Sequence, residues 1–401
     1  MVAGVGAGGT VLMGNTRLGA PARHGKPNWE KHFYLGGSPP GTALLICTPG
    51  GVRLEVFGSP MSLTDLHAAA SSGTLGRLPP NLLTAANLTV RNAAGNTPLH
   101  LAAKYGGLPS LPPGLLTAEL LALKNSAGYT PLHHAVLGDH LDQVPPALVT
   151  REGLLQRSNA GYSVYHLAAA QGNLQSLPPP LLGESVFQLR TDVGNTLLHE
   201  AAENGTLDRI PAEFVTAENL AHKNLGGETV LHTAAFNGHL DQIPPALLTN
   251  AALRETTSAG DTVFHAAAIS GHLGQIPPEF LTVENLTTAS KSGFTVIHAA
   301  AETGQLDRIP AQQLTAELLL TRNDNGDTPL HAAAFTGHLD QIPAELITTE
   351  RLQTRNYEAM SVLQTAIDRG FLPQIPEKSR PKPPNMLRRF FQKLSGMQAP
   401  F

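Results

Sequence analysis

Histidine is the residue type best placed to do chemistry here, and its spacing is regular. His67, His100, His133, His166, His199, His232, His265, His298 and His331 stand 33 residues apart. A zinc centre needs three or four ligands about 2 Å from one ion. Residues one period apart in stacked helical units are separated by roughly 10 Å. The column therefore reads as structural, and no metal is expected. Gly4, Gly6 and Gly9 match G-x-G-x-x-G, a pattern with meaning only between a strand and a helix. Three residues precede it and no helical pattern follows, so no nucleotide cofactor is expected. Cys47 lies in an apolar run and reads as a packing residue. No P-loop, His-Glu-x-x-His or Ser/His/Asp order occurs. The expectation is a non-enzymatic chain.

The elements that carry these histidines repeat with them. The tenth step lands on Gln364, in a unit that keeps the rest of the pattern. Ala follows the histidine position by two in every unit (Ala69 to Ala366), Leu by eight (Leu75 to Leu372) and Pro by twelve (Pro79 to Pro376). Thr or Ser stands three before it, where an N-cap accepts a free backbone N–H. Pro98, Pro131 and Pro329 follow that cap, at a helical position whose missing N–H costs nothing. Gly stands six after, except Asp139, at the helix end where a left-handed residue is favoured. The spacing predicts one helix per unit, with its apolar residue before the His and its Ala facing the stack.

The invariant Pro divides the second half of the unit into short pieces. Leu339 to Ile342 reads as one turn, and Pro343 begins another. A second Thr column (Thr84, Thr117, Thr216, Thr249, Thr282, Thr315, Thr348), broken at Gly183, predicts a third short helix. Acidic residues in its first turn, such as Glu218, suit the helix dipole. No piece could bury its apolar face alone, so the units must stack. The fold expected is an all-α solenoid of ten stacked 33-residue repeats, with a small N-terminal β-hairpin region.

Gly326-Asp327-Thr328-Pro329-Leu330-His331-Ala332-Ala333-Ala334 and Gly95 to Ala103 resemble the ankyrin motif G-x-T-P-L-H-x-A-A, over about Ser62 to Pro376. The resemblance implies a curved stack of helix pairs that binds a protein on its concave side. It departs from the family where Pro interrupts the second helix. By motif position it carries partner contacts to Lys104, Tyr105, Tyr129, Tyr162, Gln171, Glu203, Asn204, Phe236, Asp261, Phe294, Glu302, Asp327 and Phe335. Exposed aromatics among them are candidate anchors, with partial burial against a neighbouring unit as the alternative reading.

Composition supports the same class. Charged residues make up 14% of the chain, below the roughly 25% of ordinary domains. The segment 377–401 carries six basic residues against Glu377 and nets +5, so the rest holds −9 of the overall −4. An acidic body argues against nucleic-acid binding. One cysteine fits a reducing compartment, and a cytoplasmic monomer is expected. Residues 1–28 read as a disordered Gly/Ala-rich start and 29–60 as a hairpin region or cap. Residues 61–376 form the solenoid, and 377–401 a Pro-rich basic linker with a short amphipathic helix. In that helix Met386, Leu387, Phe390, Phe391 and Leu394 share a face. Segment 385–395 could touch an anionic membrane, so a peripheral-membrane or host-directed effector-type adaptor is the alternative function.

Overall fold

The computed structural model describes residues 44–48, 51–55 and 63–380. The chain divides into two units between Met61 and Ser62. In the first, β1 (Leu44–Thr48) pairs antiparallel with β2 (Gly51–Glu55), setting Leu44 opposite Glu55 and Thr48 opposite Gly51. The Gly-rich start with its G-x-G-x-x-G match, and the basic segment 385–395, lie outside the described residues.

The second unit is the repeat array. Its long helices are α1 (Leu63–Ser71), α2 (Pro98–Tyr105), α3 (Pro131–Leu137), α4 (Val164–Gln171) and α5 (Leu197–Asn204), then α6 (Val230–Asn237), α7 (Val263–Ser270), α8 (Val296–Glu302), α9 (Pro329–Thr336) and α10 (Val362–Asp368). Each packs on the next in chain order. The Thr or Ser column caps α2 to α10. Behind the caps of α2 to α9 the apolar and Ala columns are fully buried, as with Leu198, Ala201, Leu231 and Ala234. Small side chains at these positions let the helix axes approach closely.

The helix ends need left-handed backbone. Gly205 has φ +70°, and a Cβ there would lie 2.7 Å from His239 Nε2 of the following unit. Asp139 takes the same conformation at φ 59°, which Asp tolerates better than most side chains.

Proline reshapes the second half into 3₁₀ turns rather than an α-helix. In the sixth unit Leu240–Gln242 forms one turn and Pro245–Leu247 another. A short helix follows at Asn250–Leu253, capped by Thr249 Oγ1, which accepts from Ala252 N at 3.2 Å. Gly183 provides no such cap, and a 3₁₀ turn, Glu184–Val186, stands in place of the short helix. The Leu that opens the first turn is buried in units one to nine, from Leu75 to Leu339.

A glutamine ten residues after the histidine position ties neighbouring units together. Gln275 Oε1 accepts from Leu240 N at 3.0 Å, and its Nε2 donates to Gly238 O at 2.6 Å. Gln242, Gln341 and Gln374 do the same to the unit before them. Arg308 holds this place in the eighth unit. There Gln305, three residues earlier, takes over by bonding Leu273 N and Ala268 O.

Candidate functional site

The histidine column is committed to architecture. Thr97 N donates to His100 Nδ1 at 3.1 Å, which makes Nδ1 the acceptor and leaves the ring proton on Nε2. Nε2 then donates to Tyr129 O of the next unit at 3.0 Å. The second bond recurs at eight of the nine histidines. His166 makes only the first. Burial holds His100, His133, His166 and His199 at a pKa of about 4. It also lowers His232, His265, His298 and His331. A neutral ring with both nitrogens bonded to protein is a staple and has no lone pair free for a metal.

These bonds land on the turn that leads into each helix. Asn125 Oδ1 accepts from Ala127 N and Tyr129 N at 3.0 and 2.9 Å, which fixes the turn from within. Asn92, Asn224 and Asn323 act alike. Successive tips join through one backbone bond, for example Leu225 N to Val193 O at 3.0 Å. The turns thus form a rigid edge beside the exposed ends of the long helices.

The residues carried over from the motif separate by depth. Phe236 and Phe335 are 55% and 50% exposed, four residues after the histidine on α6 and α9. Gln171, Asn204 and Glu302 are also exposed, and Lys104, Tyr105 and Glu203 are half-buried. Tyr129, Tyr162 and Phe294 follow the turn glycine and lie half-buried against the core. Asp261 and Asp327 share that turn position and are also half-buried. Between turns and helices in units seven to nine runs a groove of about 540 Å³, lined by Asp261, Ile269, Lys291, Phe294, Asn323 and Asn325, among others. The guanidinium of Arg369 lies 3.5 Å from the centre of the Phe335 ring.

Residues 325–347 match the family model described as Ankyrin repeat. The matched stretch is the turn, α9 and first 3₁₀ turn of the ninth unit, the geometry that recurs along the array. That stretch is an ankyrin repeat, and the helical units around it are consistent with an ankyrin-like solenoid. No curated protein matches the chain. Ankyrin repeats form protein–protein interaction domains, and the family is generally non-enzymatic.

Within the array the helix position just after the histidine carries two ionisable groups absent from the sequence-derived set. Glu200 is 3% exposed. Burial raises its pKa to about 7, although Asn195 Nδ2 donates to Oε1 at 3.1 Å. The Tyr162 hydroxyl lies beside it, and burial together with the Glu200 charge pushes that phenol well above its ordinary range. His134 is the second. Asn125 Nδ2 is 3.3 Å from its Nε2, which puts the ring proton on Nδ1, buried and without a partner. Burial, then the neighbouring His100, lowers its pKa to about 3. The only sequence signal for either was an ionisable residue in a column otherwise Ala, Leu or Thr. The glutamine staple was also overlooked, although its fixed offset of ten from the histidine could have found it.

Proposed function

We propose that this ankyrin array is a non-enzymatic scaffold that holds a partner protein along its concave side, between the turns and the exposed ends of the long helices. The observation that carries the reading is the row Phe236, Ile269 and Phe335. These are large apolar side chains 44% to 55% exposed, one per unit on α6, α7 and α9, and Ile269 opens into the groove beside the turns. Isolated exposed apolar residues are ordinary, but a row set on a rigid framework beside a groove has the character of an anchor site. Asp261, Glu302 and Asp327 supply a polar rim around it. The acidic body favours a protein partner over nucleic acid, and the reading includes a cytoplasmic monomer.

The test is affinity capture by the full chain against a Phe236→Ala/Phe335→Ala variant whose thermal unfolding is unchanged. Loss of two such anchors should weaken capture at least tenfold, because a buried aromatic anchor contributes roughly 2 kcal/mol or more. Capture undiminished by the double substitution rejects the concave face.

A further inference from the structure

We infer that the turn edge of units two to six carries a second binding surface, a row of five cations that takes an acidic segment of a partner protein. The row lies on the turns and not on the helix ends, so it does not rest on the reading of Phe236 and Phe335.

The residue nine before the histidine position is Arg91, Lys124, Arg157, Arg190 and Lys223 in five successive units. All five are exposed. Backbone bonds hold them in line. Arg91 Nη1 donates to Gly95 O at 3.0 Å and to Lys124 O. Lys124 Nζ donates to Arg157 O at 2.7 Å. Arg157 Nε donates to Gly161 O at 3.2 Å, and its Nη2 meets Asp192 at 2.7 Å. Arg190 Nη1 donates to Gly194 O at 3.0 Å and to Lys223 O at 2.7 Å. Lys223 Nζ donates to Thr256 O at 2.9 Å. Each head thus lies against the turn of the next unit, and the row is continuous. Arg91 and Arg190 use Nη1 alone, so their Nε and Nη2 donors have no partner among the described residues.

The turn does not need these cations. Thr256 and Ala289 hold the same position in units seven and eight. Their turns close with the antiparallel bridges Thr256 to Thr262 and Ala289 to Thr295, as Arg157 does with Ser163 and Lys223 with Thr229. The bond between successive tips persists there too, with Lys291 N donating to Ala259 O at 2.9 Å. A neutral residue therefore suffices for the fold, and an unbroken run of five cations is a property of the surface.

The charge pattern selects the ligand. Turns 91–97, 124–130 and 157–163 hold no carboxylate. Further along, Asp192 pairs with Arg157, Glu255 pairs with Lys223 at 3.0 Å, and Glu228 accepts from Asn224 Nδ2 at 2.7 Å. Arg91, Lys124 and Arg190 enter no ion pair among the described residues. Glu119, Glu152, Glu184 and Glu218 stand in the short elements five or six residues before the row. Cations roughly 10 Å apart, with carboxylates flanking them, suit a ligand whose negative charges are spaced. A nucleic-acid duplex carries a phosphate about every 3.4 Å on each strand. Single strands bind on exposed aromatics, and these turns expose none, since Tyr129 and Tyr162 are half-buried. An acidic polypeptide can set a carboxylate opposite each cation and neutral residues between them.

A fluorescein-labelled peptide of alternating Glu and Ser, sixteen residues long, is titrated into the full chain by anisotropy at low salt. Arg91→Gln/Lys124→Gln/Arg157→Gln should weaken binding about tenfold or more, because the row acts through electrostatic complementarity. Lys291→Gln/Arg322→Gln/Arg355→Gln removes the same charge from later turns and should change binding less than about twofold. Arg91→Lys/Lys124→Arg/Arg157→Lys keeps the charge and should bind like wild type, which separates loss of the row from loss of the fold. Absence of binding to wild type, equal weakening by the two Gln variants, or a charge-preserving variant as weak as the first overturns the inference. So does a single-stranded oligothymidylate of the same net charge that binds more tightly than the peptide. The Phe236→Ala/Phe335→Ala variant should bind the peptide like wild type, and loss there rejects a separate surface. Partner capture undiminished by that variant, with peptide binding intact, rejects the concave face and leaves this surface standing.

Discussion

The two halves of the array use one repeat plan and are joined differently. From the fifth unit onward every junction carries a glutamine that bonds a backbone N–H and a carbonyl of the preceding unit. In the first five units the same column holds Arg77, Ser110, Gln143, Ser176 and Arg209. Of these Gln143 alone could serve, and its Oε1 is buried without a partner. Both halves bury their histidine column, but only the first also buries His134 and Glu200, and burial shifts its histidines furthest, to a pKa of about 4. In a solenoid, stability is a sum of unit and junction terms. The lesson is that identical core columns can support two stretches of different cohesion, decided by one side chain per junction.

Acid should separate the halves most strongly. The folded-state pKa of about 4 at His100, His133, His166 and His199 lies below the ordinary 6.5. These rings contribute full stability above pH 6.5. As pH falls from 6.5 to 4 the unfolded chain takes up protons first, at a cost of about 3 kcal/mol for each ring. Hydrogen exchange at pH 5 should show units two to five losing protection before units six to nine. Uniform loss would erase the distinction.

Glu200 has the opposite sign. Its folded pKa of about 7 lies above the ordinary 4.5, so its contribution is complete below pH 4.5 and is lost as pH rises through 7. Glu200→Gln should therefore stabilise the first half by about 3 kcal/mol at pH 8 and by almost nothing at pH 4.5. Denaturant unfolding at the two pH values measures the difference, and a pH-independent effect would contradict the cause given.

Gln275→Ala should cost about 1–3 kcal/mol, because it strips partners from the backbone N–H of buried Leu240 and from Gly238 O. Exchange protection of the Leu240 amide should fall with it. The smallest effect is a gain. Ser110→Gln sets a staple opposite Leu75 and Gly73, whose surroundings are open, and should add about 0.5–1.5 kcal/mol. A variant no more stable than wild type would mean that the spacing of the first junction differs from that of the later ones.

Much of the framework is legible letter by letter. Thr97 before Pro98 announces a cap, Gly205 a left-handed end, and the His column a bond at the same place in every unit. The proline column announces a broken second half. That its pieces are 3₁₀ turns followed from backbone geometry, since Leu-Asp-Gln before Ile-Pro fits one turn of either helix. The candidate face is less legible. Phe236 and Phe294 are the same residue type at motif positions, yet one stands on a helix end and the other lies half-buried against the core. The depth of a side chain beside its neighbour's turn is set by packing, which the motif does not encode. Glu200 shows the same limit, because a carboxyl at that position reads as solvated until Tyr162 and Asn195 are seen around it.

The histidine bonds span 29 residues and the glutamine bonds 32, 35 or 37. None reaches past the adjoining unit. An in-phase crossover that removes or duplicates 33 codons therefore rebuilds each staple with a new neighbour and leaves no stranded half-bond. The array can change length by recombination without passing through a misfolded ancestor, provided that the new junction brings a glutamine where its cohesion is needed.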